Sequence, residues 1–394
     1  MTKMKRIPLL AKIAVAILLG ILCSLFFPVW AVRIFETFNS LFSNFLGMFI
    51  PLLILGLVAP AIADLGGSAG KLLGITVLLA FASTILSGFV SYFACDLTFP
   101  HLISGNMGAF DSLAEGKTIK PYFTLEMPPF INVVTALVLA VLVGLGCAAV
   151  DGRPLKGALD GFSAIVSFVI DRVIIPCLPV YIYGLFLKMG AEGTVVSVLS
   201  VFVKIVAVII ALHVATLLLQ FLFAGAITRK NPFLALWTMM PAYATALGTQ
   251  SSAATIPVTL RCTKNLGVQD QVASFTVPLC ATMHMPCSIL KIVACTYAVA
   301  FTTGMNVDLG VFAGFILMLS VTMVAAPGVP GGAIMAALGV ISSVFGFDAS
   351  MQGLIISIYI ALDCFGTAGN VTGDGALSLI VDKIHQRYDK ECII

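Results

Sequence analysis

The chain has 394 residues, of which 60% are hydrophobic and 10% charged, and its formal net charge is +3. A soluble domain carries roughly 25% charge, so the composition excludes a soluble globular protein and predicts an all-α polytopic membrane protein. The small positive excess is explained by its distribution between loops, described below, and implies no nucleic-acid partner.

The first apolar run covers residues 8–27, behind Lys3, Lys5 and Arg6. That start resembles a signal peptide. No small-x-small cleavage site precedes the bulky Phe26-Phe27-Pro28-Val29-Trp30, so the run reads as a retained span. Further runs long enough to cross a bilayer cover residues 41–63, 71–94, 129–150, 162–189, 195–228, 270–302 and 351–381. Between the third and fourth lies a polar outer loop, residues 95–128, rich in Gly, Asp, Lys and Pro. Two more apolar stretches, residues 232–260 and 309–345, are broken at mid-length by small and polar residues. The expected architecture is eight transmembrane helices plus two re-entrant helical hairpins.

Charge sets the orientation. With the N-terminus inside and both broken stretches returning to their side of entry, Lys3, Lys5, Arg6, Lys71, Arg153, Lys156, Arg229, Lys230, Arg261, Lys264, Lys383, Arg387 and Lys390 all fall inside. Only Arg33, Lys117 and Lys120 fall in outer loops, as the positive-inside rule requires. Reading the broken stretches as full spans would put Arg261 and Lys264 outside. The expected location is the cell (inner) membrane, multi-pass, with both termini cytoplasmic and the spans in contact with membrane lipid.

The second half repeats a rhythm of broken stretch then span, as inverted repeats do. The first break centres on Thr245-Ala-Leu-Gly-Thr-Gln-Ser-Ser-Ala-Ala-Thr-Ile-Pro257, and the span after it is interrupted at His284-Met285-Pro286. The second centres on Ala326-Pro-Gly-Val-Pro-Gly-Gly332. Irregular backbone at bilayer depth leaves peptide groups that lipid cannot satisfy, so such tips survive only against protein or a watery cavity. A half-helix beginning near Ala254 or Thr255 aims amide donors and a partial positive charge at that cavity, where a carboxylate fits.

The last span carries Asp363, Thr367, Asn370 and Asp374, offset by 4, 7 and 11 residues and hence on one helical face. A charge at bilayer depth costs about 3 kcal/mol or more, so this face must look into a protein site. No basic residue lies on it within the span, which leaves Asp363 as an acceptor suited to an ammonium. Asp374 is a hard oxygen ligand suited to a small cation. An aspartyl-protease dyad is excluded, because eleven residues of helix separate the two carboxyls by about 16 Å. The ten cysteines are scattered without metal spacing and read as packing residues.

Three of these segments carry a family resemblance. Ser251-Ser-Ala-Ala-Thr-Ile-Pro257 resembles the serine-rich first hairpin tip of the dicarboxylate/amino acid:cation symporters, the glutamate transporter family. Gly328-Val-Pro-Gly-Gly332 resembles the second tip, and Asn370-Val-Thr-Gly-Asp374 the signature of the last span, all in the family's order and spacing. The resemblance implies secondary active transport by an elevator fold in a homotrimer, with sodium as coupling ion and no other cofactor. It implies scaffold spans in residues 1–70 and 129–194, a third span and outer loop of the moving domain in 71–128, and a transport core in 195–394. Its substrate set falls on Ser251, Ser252, Ser288, Val329, Pro330, Gly331, Asp363, Gly366, Thr367 and Asn370. Its cation set falls on Thr282, His284, Met285, Asn370 and Asp374.

Two departures refine this. Members that take acidic substrates have an Arg three residues after the early Asp, where this chain has Gly366. Without that clamp an acidic side chain would be buried unpaired, so the resemblance points to the branches for neutral amino acids and serine/threonine. The alternative, a glutamate, aspartate or dicarboxylate symporter, needs Lys291 to supply the missing cation. In the seventh span the family's Asn-Met-Asp-Gly-Thr is His284-Met285-Pro286-Cys287-Ser288 here. One cation carboxylate is lost and an imidazole gained, either as a neutral hydrogen-bonding group or as a proton carrier. A channel or a substrate-sensing receptor would need the same cavity.

Overall fold

The computed structural model describes residues 9–66, 71–103, 119–149, 153–193, 195–324, 326 and 331–391, and among these there is no strand. In chain order the helices are α1 (Leu9–Ser24), α2 (Val29–Gly66), α3 (Lys71–Ile103), α4 (Val133–Ala149) and α5 (Arg153–Val169). A π-helical turn, Ile170–Ile174, joins α5 to α6 (Ile175–Ala191). There follow α7 (Val195–Thr228), α8 (Pro232–Thr249), α9 (Ser252–Asn265), α10 (Asp270–Met283) and α11 (Pro286–Thr302). The last four are α12 (Leu309–Met323), α13 (Gly332–Phe345), α14 (Ala349–Ala361) and α15 (Asp363–Glu391).

Local chemistry sets many of these ends. Asn231 caps α8 by accepting from the Phe233 and Leu234 amides, with Pro232 at the first helical position. Asp308 and Asp348 cap α12 and α14 in the same way. Helices α8 and α9 form one antiparallel hairpin and α12 and α13 a second, at the positions of the two broken stretches.

Among the described residues, five helical segments are long and apolar enough to cross a membrane: 29–63, 73–103, 154–191, 198–228 and 270–302. A sixth candidate is the pair α14 and α15, bent by 59°. Helices α1, α4, α12 and α13 are apolar but shorter. Leu97 of α3, Phe223 of α7 and Trp237 of α8 are large apolar side chains on the exposed surface, as expected where lipid replaces water as the solvent.

The structure corrects four sequence boundaries. Helix α2 begins at Val29, so Arg33 lies in a helix rather than a loop. Its polar turns are tolerated because Glu36 pairs with Lys188 of α6 at 2.8 Å. Arg33 meanwhile donates to the Lys120 carbonyl and lies 4.3 Å over the Tyr122 ring. Helix α3 runs on through residues 95–103 of the expected outer loop, and its Asp96 accepts the Tyr297 hydroxyl at 2.8 Å. Lys117 lies outside the described residues. The fifth run starts earlier, at Arg153, and is relieved by the π turn. The last run is two helices meeting at Leu362, so the polar stripe opens a new helix at Asp363.

Helix α2 packs along α4 and α6, and α1 lies on α6. Helix α3 lies along α11. Helix α15 is enclosed by α7, α8, α9, α10 and α11. A second apolar cluster, with Met239, Ala242, Val272, Val371 and Leu377, seals its flank. This enclosure is what lets α15 keep a polar stripe away from lipid.

Candidate functional site

Three layers stack along α15. At its first residue, Asp363 uses both carboxylate oxygens. Oδ2 accepts the Gly331 amide at 2.8 Å, and Oδ1 accepts from the Lys291 ammonium at 3.2 Å. Gly331 sits at the second hairpin tip with φ +77°, a left-handed conformation that glycine adopts without strain. Its amide is thereby turned onto α15. Val329 and Pro330, assigned to the same tip, lie outside the described residues.

Asp363 is therefore not the unpaired acceptor that its own helix suggested. The partner comes from α11, a helix whose register against α15 the sequence does not reveal. Lys291 is fully buried. It also donates to the Leu362 carbonyl at 3.4 Å and lies 3.8 Å from the centre of the Tyr359 ring. A Cβ on Gly366 would overlap the Lys291 Nζ and stand 2.6 Å from its Cε. The slot left by Gly366 is thus filled by Lys291, as the alternative sequence reading required.

The middle layer is a satisfied amide. Asn370 Nδ2 donates to Ser288 Oγ at 2.9 Å, and Asn370 Oδ1 accepts the Cys287 amide at 2.8 Å. Thr367 is buried one turn away. The Cys287 carbonyl takes a hydrogen bond from His213 Nε2 of α7 at 3.2 Å. That leaves His213 Nδ1 buried without a hydrogen-bond partner.

The third layer pairs Asp374 with His284. His284 is the extended residue between α10 and α11, where Pro286 starts the new helix. Its Nδ1 meets Asp374 Oδ1 at 2.9 Å and its Nε2 meets Ser83 Oγ at 2.9 Å. Gln220 Nε2 donates to the same Ser83 oxygen at 3.2 Å. A carboxylate only accepts, so Nδ1 carries the proton. In the neutral imidazole Ser83 donates to Nε2, and the chain runs from Gln220 through Ser83 and His284 to Asp374. Met285 enters through its backbone, with its amide donating to Thr84 Oγ1 at 3.3 Å.

Thr282 is not brought to this layer. It is exposed, and its hydroxyl returns to the Leu279 carbonyl at 2.9 Å. Ser251 caps α9 by accepting the Ala254 amide at 3.3 Å, with Ser252 beside it at the first helical position. Their hairpin packs on α15.

A cavity of about 430 Å³ lies between α3, α7 and α15, with Ser83, Thr216, Gln220 and His284 among its lining residues. Of the lining residues, Thr216 Oγ1 and Gln220 Oε1 are buried oxygens with no hydrogen-bond partner in the structure. Oxygens of this kind suit a small hard cation. Among the described residues no group of three or more His, Cys, Asp or Glu could hold a resident metal.

Sequence reasoning missed Ser83, Thr84, His213 and Gln220. The signal was present as hydroxyls four residues apart at Ser83, Ser87 and Ser91, and as polar residues at His213, Thr216 and Gln220, each a stripe in an apolar helix. Ser91 shows what the first stripe does, donating to the Leu290 carbonyl of α11 at 2.8 Å.

Comparison with known proteins covers nearly the whole chain. A family model described as the sodium:dicarboxylate symporter family matches residues 9–384. A relative from Acinetobacter baumannii strain AYE, described as serine/threonine transporter SstT, is 29% identical over 391 residues, covering 96% of this chain and 97% of the relative. The protein of the same description from strain ATCC 17978 is 30% identical over 393 residues, with the same coverage.

Proposed function

The chain belongs to the sodium:dicarboxylate symporter family, and on that premise we propose that it is a sodium-coupled symporter of small neutral amino acids, serine and threonine first among them. The observation that carries this reading is the convergence on Asp363 of the second hairpin's Gly331 amide and the head of α15, with Asn370 and Ser288 one layer below. An amino acid seated there finds a carboxylate for its ammonium and amide and hydroxyl groups for its polar remainder. The description of the Acinetobacter relatives as serine/threonine transporters supports the same substrate class.

Toward sodium, Asp374 supplies a hard oxygen donor at the third layer, with Asn370 one turn away on the same face of α15. Pro286 in place of a carboxylate removes one donor of the family pattern. The layer's strongest remaining ligand is therefore Asp374, held by His284. The substrate set includes Ser251, Ser252, Ser288, Val329, Pro330, Gly331, Asp363, Gly366, Thr367 and Asn370. The architecture proposed with it is eight spans, two re-entrant hairpins, a scaffold of residues 1–70 and 129–194, and a homotrimer in the cell membrane with both termini cytoplasmic.

A second reading, uptake of aspartate, glutamate or a dicarboxylate, is favoured by one observation: the Lys291 ammonium stands in the Gly366 slot. Against it, that ammonium is already paired with Asp363. It is therefore available to a substrate carboxylate only by leaving Asp363. Competition decides between the readings. Protein reconstituted in liposomes under an inward sodium gradient takes up labelled serine, with unlabelled threonine competing strongly and glutamate weakly. Stronger competition by aspartate, glutamate or succinate than by threonine would overturn the neutral reading in favour of the second.

A further inference from the structure

The ammonium of Lys291 lies in a cage that would suit any ammonium group. A carboxylate oxygen stands at 3.2 Å, the Leu362 carbonyl at 3.4 Å and the Tyr359 ring face at 3.8 Å. Anion, carbonyl and aromatic face are the three elements that stabilise a desolvated cation. The protein therefore occupies its own candidate ammonium site. A substrate ammonium reaches Asp363 only if Lys291 gives way.

We propose that Lys291 is a specificity-determining residue that enforces zwitterionic substrates by ion-pair exchange. In the structure Lys291 neutralises Asp363. On binding, the substrate ammonium takes Asp363 and the substrate carboxylate takes the displaced Lys291. One internal pair becomes two pairs across the interface, and no buried charge is left alone. Isolated buried charges are strongly unfavourable, so a simple amine, which offers Lys291 no anion, is rejected. A monocarboxylate, which leaves Asp363 no new cation, gains nothing from opening the pair.

The geometry permits this exchange. The amino and carboxyl groups of an α-amino acid hang on one carbon, so both reach partners that stand 3.2 Å apart. Gly366 is what lets the lysine end stand beside Asp363, because a Cβ there would overlap its Nζ. The second oxygen of Asp363 is held by the Gly331 amide, so the exchange takes place directly under the second hairpin tip.

This inference rests on the reading that the substrate is an amino acid. The test compares each amino acid with its amide, which keeps the ammonium and lacks the carboxylate. Uptake of labelled serine, or of whichever amino acid of a panel is taken up best, is competed with the unlabelled acid and the amide. Wild type is expected to discriminate against the amide by at least 100-fold. In Lys291→Met the acid weakens about tenfold, the amide gains, and the ratio falls below 10. Lys291→Met/Asp363→Asn, which removes both charges, controls for folding by its melting temperature. Unchanged discrimination in a folded Lys291→Met would overturn the inference while leaving the transport reading intact. If serine is not taken up but another amino acid is, the substrate assignment fails and the Lys291 comparison proceeds with that amino acid. Uptake of succinate and of no amino acid would overturn both.

Discussion

His284 and Asp374 are hydrogen-bonded at 2.9 Å, with side chains that are each 1% exposed. One comes from the break between α10 and α11 and the other from the middle of α15, so the bond ties the interrupted helix to the polar stripe. Ser83 of α3 holds the far nitrogen of the ring at 2.9 Å. Removing the ring leaves Asp374 as a buried carboxylate without its donor. A hydrogen bond to a charged group is worth about 1.5–3 kcal/mol. His284→Ala is therefore expected to lower the melting temperature of the detergent-solubilised protein, and His284→Asn, which keeps an amide donor, to lower it less. Equal melting of both variants with wild type would show that the pair carries no stability.

Asp374→Asn keeps the shape of the layer and removes its charge. Serine uptake driven by a sodium gradient is expected to fall at least tenfold, with half-maximal activation moved to higher sodium. Retention of wild-type sodium activation would remove Asp374 from the cation site.

Gly366→Ala tests the fit against Lys291. The new Cβ would lie 2.6 Å from Lys291 Cε. The obstructing atoms are the far end of a flexible side chain, so the fold is expected to survive, with a melting temperature lowered by the loosened Lys291–Asp363 pair. Displacement of Lys291 from Asp363 is expected to change the KM for serine about tenfold, read from initial uptake rates. An unaltered KM would show that the two residues do not communicate with the substrate.

The amide of Asn370 satisfies the Cys287 N–H and the Ser288 hydroxyl together. Asn370→Leu leaves the buried Cys287 N–H unpaired, at about 1–3 kcal/mol, and is expected to lower thermal stability and abolish uptake. Asn370→Asp keeps the acceptor for Cys287 and is expected to melt closer to wild type while still failing to transport. Thermal melts of both in the same detergent check this.

Gly331 holds φ at +77°. A non-glycine residue in that left-handed region costs about 1–2 kcal/mol, and a β-branched one strains it most. Gly331→Val is expected to misplace the amide that caps Asp363 and to reduce uptake strongly without unfolding the bundle. Gly331→Asn, which tolerates the region, is expected to retain more uptake than Gly331→Val.

Much of this was legible in the sequence because membrane helices announce themselves by hydrophobic length. The runs at 71–94 and 195–228 coincide with helix, the run at 270–302 is helix broken at the expected His284-Met285, and both broken stretches are antiparallel helix pairs. The apolar run at 41–63 falls short of α2 because Arg33 and Glu36 interrupt the hydropathy, and only the distant Lys120 and Lys188 explain their place in a helix. The face of α15 was predictable from period alone, since Asp363, Asn370 and Asp374 share one helix. Their partners were harder to see. Lys291 lies 72 positions from Asp363, His284 90 from Asp374 and Ser83 201 from His284, and hydropathy carries no information on the register between two apolar helices. The close approach of Lys291 depends on Gly366, and an absent side chain signals only that room exists, not what fills it.

The most direct test of the account is concentrative uptake of labelled serine by the purified full-length protein in liposomes, with sodium and proton gradients imposed separately. The account predicts accumulation above the external concentration under the inward sodium gradient alone, abolished by a sodium ionophore and absent in Asp363→Asn. Equilibration without accumulation under either gradient, or accumulation under the proton gradient alone, would contradict it.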